Sequence, residues 1–149
     1  MSKWYKTAFV GGATVSLFPT WVVSVIAQHF PSIAPEELEI VSEFFGSGVG
    51  FAQLLVFFII VFIMPQVEEW AFRGVLWRFL EGRLGVPSGI VWFVTSMAFA
   101  IVHLEPLHIL GLLPLSFFLG WLRMKDGSIG PSVVAHMVNN AVACLLMVL

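Results

Sequence analysis

Apolar residues fill most of this chain in long runs, and charged or turn-forming residues mark where the runs end. Thr7 to Phe30 and Ser47 to Met64 contain no charged residue, and the second run continues with helical character from Gln66 to Arg83. A helix that crosses a bilayer needs about 20 mostly apolar residues. The pattern therefore predicts a first transmembrane helix at Thr7–Phe30 and a long helical segment from Ser47 to Arg83.

Pro65 interrupts the long second segment. Proline removes a backbone donor, and it usually kinks or breaks a helix. At 1.5 Å per residue, Ser47 to Arg83 would extend about 54 Å as one helix, well beyond a hydrocarbon core of about 30 Å. We therefore expect the segment either to break near Pro65 or to protrude into water.

The rest of the pattern completes an all-helical membrane protein. Pro31 to Phe45 has apolar residues at helical spacing behind a helix-start signal, which is typical of a short amphipathic helix at the interface. After a turn at Gly85–Gly89, further apolar segments follow at Ile90–Leu104, Leu107–Leu122 and Pro131–Leu149. The sequence predicts an all-α, multi-pass transmembrane bundle of five to six membrane segments. Residues 1–46 form the first helix and the interfacial segment, and residues 47–149 form the core.

Composition narrows the class of protein further. Of 149 residues, 59% are hydrophobic and 11% are charged, against about 25% charged in a typical soluble domain. This balance argues against a soluble enzyme and against a disordered tail. The net charge of −2 gives no basic patch, so no nucleic-acid partner is expected. The single cysteine, Cys144, cannot form an intramolecular disulfide.

The basic residues of the loops predict the orientation. With a cytoplasmic N-terminus, all loop Lys and Arg residues fall inside, and the acidic segment around Glu36 to Glu43 falls outside. We therefore expect an integral multi-pass protein of a prokaryotic cell membrane, with its N-terminus in the cytoplasm and the lipid bilayer as its surroundings.

Three charged residues remain inside an apolar helix: Glu68, Glu69 and Arg73. Each costs roughly 2.5–3.5 kcal/mol at the bilayer centre on insertion scales. Glu69 and Arg73 are four residues apart, so they share a helix face and can pair. Pairing leaves Glu68 uncompensated, and two adjacent carboxylates are suited to general acid–base work. The structural alternative is an interfacial salt bridge near the helix end.

Histidine and asparagine appear on two later helices. If the flanking segments form a hairpin around the Gly85–Gly89 turn, Glu69 and His103 lie at similar depth, roughly 21–22 Å from it. His136 and Asn140 share one face of the last helix. Alone, His103 reads more often as a packed histidine, and the His136–Asn140 pair could serve as interhelical hydrogen-bond contacts.

Three motifs in order resemble a known family. Glu68-Glu69-Trp70-Ala71-Phe72-Arg73 fits EExxxR, Phe99-Ala100-Ile101-Val102-His103 fits FxxxH, and His136-Met137-Val138-Asn139-Asn140 fits HxxxN. Together they resemble the CAAX protease and bacteriocin-processing (CPBP/ABI) intramembrane proteases, which include the CAAX prenyl endopeptidase. The resemblance covers roughly Val56 to Leu149.

The resemblance implies an intramembrane endopeptidase with its active site inside the membrane, acting on a peptide or protein substrate, prenylated or not. By analogy, Glu68 activates the attacking water and His103 assists. Glu69 and Arg73 support and orient Glu68, and Phe99 shapes the substrate site. His136 and Asn140 stabilise the oxyanion or help to hold a metal.

The residues leave the cofactor and the function class open. A catalytic zinc site needs about three protein ligands and one open position, and Glu68, His103 and His136 could supply the ligands. A metal-free mechanism of the glutamate type is equally compatible with these side chains. The alternatives to an enzyme are a non-enzymatic immunity or scaffold protein of the same fold and, less favoured, a small proton or ion transporter.

Overall fold

A computed structural model of the chain describes residues 2–29, 43, 44, 48 and 50–148. These residues are helical apart from short turns, and no strand occurs among them. The described part of the chain contains five long helices, which are α1 (Trp4–His29), α2 (Phe51–Arg83), α3 (Ser88–Ile101), α4 (Pro106–Asp126) and α5 (Gly130–Val148). The all-α class is thereby confirmed. The interfacial helix predicted at 31–45 lies almost wholly outside the described residues.

Helix α2 runs through Pro65 without a break, so of the two expected alternatives the break does not occur, and protrusion into water stays a prediction. Its 33 residues would span about 50 Å at the α-helical rise, longer than a hydrocarbon core. The hydrogen-bond register of the helix changes along its length. It contains π-helical stretches at Ile59–Ile63, Trp70–Leu76 and Phe79–Arg83. The first stretch lies directly before Met64 and Pro65, because a proline has no N–H to continue the regular ladder.

The turn between α3 and α4 begins earlier than the sequence predicts. Helix α3 ends at Ile101 rather than Leu104, since Leu104 adopts a positive φ of 60° and cannot continue a right-handed helix. Glu105 then caps α4, with its carboxylate accepting hydrogen bonds from the backbone N–H groups of Leu107 and His108. His103 therefore lies in a fixed turn just beyond the end of α3.

The core of the bundle lies where α1 packs against α4 and α5. It contains small and aliphatic side chains, which are Ala8, Leu115, Leu119, Leu122 and Ala135. Gly12 permits a close approach of α1 to the backbone of α5, since a Cβ at this position would lie 2.3 Å from the backbone oxygen of Ala135. Helix α1 thus packs against α5 immediately beside His136.

Two of the five helices, α2 and α4, are long and apolar enough to cross a bilayer by length and composition, while α3 and the apolar part of α5 are shorter. Many large apolar side chains along α2 face outward, as a lipid-facing helix requires. The number of five to six membrane segments stays a prediction.

Basic and tryptophan side chains collect at one end of the bundle. Lys3 lies over the ring of Trp4, and Trp4 packs edge-on against Trp121 at 5.2 Å between centroids. Between α4 and α2, Arg123 lies over the ring of Trp77. The start of α1, the end of α4 and the last turns of α2 are therefore at the same end.

Candidate active site within the helix bundle

Glu69 and Arg73 form a buried ion pair on one face of α2. The distance from Arg73 Nη1 to Glu69 Oε1 is 2.9 Å, and both side chains are completely buried. The spacing of four residues places the two groups one above the other on the helix, as the sequence predicts. A buried pair of this kind needs further hydrogen bonds to offset the loss of hydration.

Arg73 finds those further bonds on α4. Its Nη2 donates to the backbone oxygen of Ser116 at 2.8 Å and to the Ser116 hydroxyl at 2.9 Å. The guanidinium also lies over the ring of Phe99, 4.5 Å from its centroid. Sequence reasoning did not include Ser116 in the site. One feature of the sequence could have indicated a further partner: an arginine has five N–H donors, and a single carboxylate cannot accept from all of them.

His136 lies between the two glutamates. Its Nδ1 is 3.2 Å from Glu69 Oε1, and its Nε2 is 3.5 Å from Glu68 Oε2. The structure therefore brings α5 and α2 together through three of the predicted site residues. A neutral imidazole has one donor and one acceptor nitrogen, so an imidazole that faces two carboxylate oxygens donates to both only when it is protonated.

The two glutamates differ in their surroundings. The side chain of Glu69 is fully buried, while that of Glu68 is 23% exposed. Among the described residues, Glu69 Oε2 and Arg73 Nε have no hydrogen-bond partner. Buried polar atoms of this type are where proteins commonly hold an ordered water molecule. Glu68 is thus the accessible carboxylate, and Glu69 is the anchored one.

Phe99 occupies the centre of the cluster and is fully buried. Its ring contacts the rings of Phe72, His103 and His136 at centroid distances of 5.4, 5.3 and 5.5 Å. With Arg73 over its face, Phe99 touches side chains from every helix that carries a predicted site residue. Its role toward a substrate stays a prediction.

His103 reaches this cluster through Phe99. Its Nδ1 lies 2.9 Å from the Phe99 carbonyl oxygen, which only accepts, so Nδ1 carries the proton and Nε2 is the acceptor nitrogen of the neutral ring. The half-buried His103 ring also lies 5.5 Å from that of His108. Arg73 and His103 contact the same aromatic ring, and the similar depth that the hairpin argument predicts for Glu69 and His103 stays a prediction.

Asn140 contacts the backbone of α2. Its Nδ2 donates to the carbonyl oxygen of Ile60 at 3.0 Å, and its Oδ1 accepts from Asn139 Nδ2 at 3.2 Å. Asn140 and His136 therefore both face α2, as expected for residues four apart on one helix. Ile60 is a partner that sequence patterns did not reveal, because a backbone acceptor carries no side-chain signal.

The predicted zinc ligands do not gather into one donor set. Within the part of the chain that the structure describes, no three His, Cys, Asp or Glu side chains form a group suited to hold a metal ion. Glu68 and His136 are neighbours, whereas His103 contacts Phe99 and His108. This arrangement does not fit a three-ligand zinc site, and the zinc site stays a prediction.

Comparison with known proteins agrees with the motif pattern. A family model described as type II CAAX prenyl endopeptidase Rce1-like matches residues 50–142. The matched range contains all of the predicted site residues, which are Glu68, Glu69, Arg73, Phe99, His103, His136 and Asn140. No curated protein and no solved structure matches the chain.

Proposed function

The chain belongs to the Rce1-like family of type II CAAX prenyl endopeptidases, a membrane-embedded helical family, and from this membership we propose that it is an intramembrane endopeptidase using a water activated by Glu68. One observation carries the proposal. Glu68 and Glu69 of α2 meet His136 of α5 within 3.5 Å, in a largely buried cluster that also contains Arg73.

Glu68 is the general base in this proposal. Peptide hydrolysis needs a water that loses a proton as its oxygen attacks the carbonyl carbon. Glu68 is suited to accept that proton, because its carboxylate is partly exposed and, among the described residues, it forms no salt bridge with an arginine. Glu69 cannot take this role as readily, because Arg73 and His136 both contact its Oε1. Glu69 instead holds the His136 ring beside Glu68.

His136 and Asn140 serve as donors to the oxyanion. The tetrahedral intermediate carries a negative charge on the former carbonyl oxygen, and preorganised N–H groups stabilise it best in a site from which water is excluded. Before the reaction, the two carboxylates of Glu68 and Glu69 balance the positive charges of Arg73 and a protonated His136, so the buried cluster has no net formal charge. Once Glu68 has taken the proton from water, it no longer competes for the Nε2–H of His136, and that N–H donates to the oxyanion.

His103 assists in moving protons in this scheme. When the intermediate collapses, the C–N bond breaks and the leaving nitrogen takes the proton that Glu68 received from water. His103 presents an acceptor Nε2 and lies on the Phe99 ring that also supports His136. Phe99 shapes the site through these contacts.

The same proposal includes the setting of the enzyme. The substrate is a peptide or protein segment, prenylated or not, that meets the enzyme in the bilayer. A multi-pass protein of a prokaryotic membrane is part of the proposal, and the collection of Lys3 and Arg123 with three tryptophans at one end of the bundle supports a cytoplasmic N-terminus.

The deciding experiment is proteolysis by the full chain, purified in detergent and reconstituted in liposomes. A library of peptides ending in CAAX-type sequences, each with and without a farnesyl group, is incubated with the protein and analysed by mass spectrometry. Glu68→Gln is expected to lower cleavage by at least about 100-fold, the usual contribution of a general base. A parallel series with a chelator tests whether a metal is required.

Glu81→Gln is the matched control, because Glu81 lies on α2 near its far end and bonds Trp77 and Ser88 instead of the site. It should cleave like the wild type. Cleavage by Glu68→Gln at the wild-type rate would contradict the proposal that Glu68 activates the water. Partner binding without cleavage would favour the immunity or scaffold role, and ion flux without cleavage would favour the transporter.

A further inference from the structure

The first π-helical stretch of α2 ends at a proline, which cannot donate the next hydrogen bond of its ladder. Within Ile59–Ile63 the hydrogen bonds join residues five apart, and the N–H of Met64 donates to the oxygen of Ile59. The next bond in this register would run from residue 65 to the oxygen of Ile60. Residue 65 is Pro65, which has no N–H.

Asn140 supplies the donor that Pro65 lacks. Its Nδ2 lies 3.0 Å from the Ile60 oxygen, and its Oδ1 is held by Asn139. A backbone oxygen in an apolar environment is costly to leave unpaired, so this bond stabilises the approach of α5 to α2. Because both ends of the Asn140 amide are held, its plane is fixed, and Nδ2 carries a second N–H for the site.

We propose that Pro65 and the Ile60 carbonyl are positioning residues that act through Asn140. The inference rests on the proposed proteolytic function and names what orients one of its oxyanion donors. Pro65 precedes Glu68 by three residues, and Asn140 follows His136 by four. The Asn140–Ile60 bond and the His136–glutamate contacts therefore fix α5 against α2 at two points, one on each side of Pro65.

The test restores the missing N–H. In Pro65→Ala, the new N–H gives the Ile60 carbonyl a donor from its own helix, directly in the π register, or through Met64 if the stretch rewinds to the α register. We expect kcat to fall about tenfold with KM changed less than twofold, since substrate binding does not depend on the orientation of Asn140. Replacing a helical proline by alanine favours the helix, so this variant should fold.

Two comparisons separate positioning from a general effect on α2. Pro114→Ala removes the exposed proline inside α4, a different helix from the one that Asn140 bonds, and it should keep wild-type kinetics. The double variant Pro65→Ala/Asn140→Ala should have the same kcat as Asn140→Ala alone, because Pro65 acts only through Asn140. A wild-type kcat for Pro65→Ala, or losses that multiply in the double variant, would overturn the proposal.

A spectroscopic readout keeps the inference testable if the chain cleaves no peptide. In ¹⁵N-labelled protein, the side-chain amide signals of Asn140, assigned by their loss in Asn140→Ala, should show slow hydrogen exchange. Pro65→Ala should speed this exchange and shift the signals, while Pro114→Ala should not. Unchanged exchange in Pro65→Ala contradicts the positioning role, independently of the proposed activity.

Discussion

Ser96 and Ser116 exchange hydrogen bonds across the contact between α3 and α4. The Ser116 hydroxyl donates to the Ser96 carbonyl at 2.7 Å, and the Ser96 hydroxyl donates to the Ser116 carbonyl at 3.1 Å. Both residues are fully buried. Arg73 adds its own bonds to Ser116, so this pair joins α2, α3 and α4 and holds the guanidinium where it meets Glu69.

Ser116→Ala should therefore destabilise the protein more than Ser96→Ala does. The first change removes a donor to Ser96 and an acceptor for a buried charge, while the second removes one neutral bond. Interhelical hydrogen bonds in membranes contribute about 0.6 kcal/mol on average, and bonds to charged groups contribute about 1.5–3 kcal/mol. We expect losses of about 2 and about 0.6 kcal/mol in the free energy of unfolding, measured by reversible unfolding in bicelles.

Ser132→Ala provides the comparison for a single buried serine bond. Its hydroxyl donates to the Leu119 carbonyl at 2.8 Å and has no contact with Arg73. Its loss of stability should equal that of Ser96→Ala. Equal losses for all three variants would mean that Ser116 does not support the Arg73 guanidinium.

Removing one charge of the Glu69–Arg73 pair should destabilise the protein more than removing both charges. Arg73→Met leaves the buried Glu69 carboxylate without its cation, which costs about 3–5 kcal/mol. The double variant Glu69→Gln/Arg73→Met removes both charges and should recover more than half of that loss. Thermal unfolding in detergent measures both changes. A double variant no more stable than Arg73→Met would show that the pair is not the source of the loss.

The sequence predicts some of these relationships and not others, for physical reasons. The Glu69–Arg73 pair follows from helical spacing alone, because residues four apart must share a face. The place of His136 between two glutamates depends on how α5 packs on α2; the family resemblance implied that these residues share one site but not this arrangement. The sequence left open whether α2 breaks at Pro65 or continues, because the Ile60 carbonyl takes its donor from a residue 80 positions away on another helix.

Gly12→Ala should weaken the packing of α1 on α5. The added Cβ would lie 2.3 Å from the Ala135 carbonyl oxygen, a contact with rigid backbone that only a shift of one helix can relieve. Overpacking of this kind costs about 1–3 kcal/mol. Because Ala135 precedes His136, we also expect a lower kcat, measured in the same liposome assay as the proteolysis.

Gly82→Ala is the control for this change. Gly82 is also helical, and a Cβ there would meet nothing within 4 Å. This variant should unfold at the wild-type temperature or slightly above it, because alanine favours a helix over glycine. If Gly12→Ala behaves in the same way, the close approach of α1 to α5 does not support the site.

Phe99→Leu should lower activity beyond its effect on stability. Leucine preserves apolar character but removes the ring face beneath the Arg73 guanidinium and the edges that contact His103 and His136. A desolvated cation–π contact contributes about 2 kcal/mol, so kcat/KM should fall about tenfold or more. Phe117→Leu is the matched comparison, because Phe117 also packs in an aromatic group, with Trp92 and Phe93, but does not touch the site. Phe99→Leu should lose more stability, because Phe99 is fully buried and Phe117 is half-buried, and only Phe99→Leu should lose activity. Equal kcat/KM in both variants would limit Phe99 to packing.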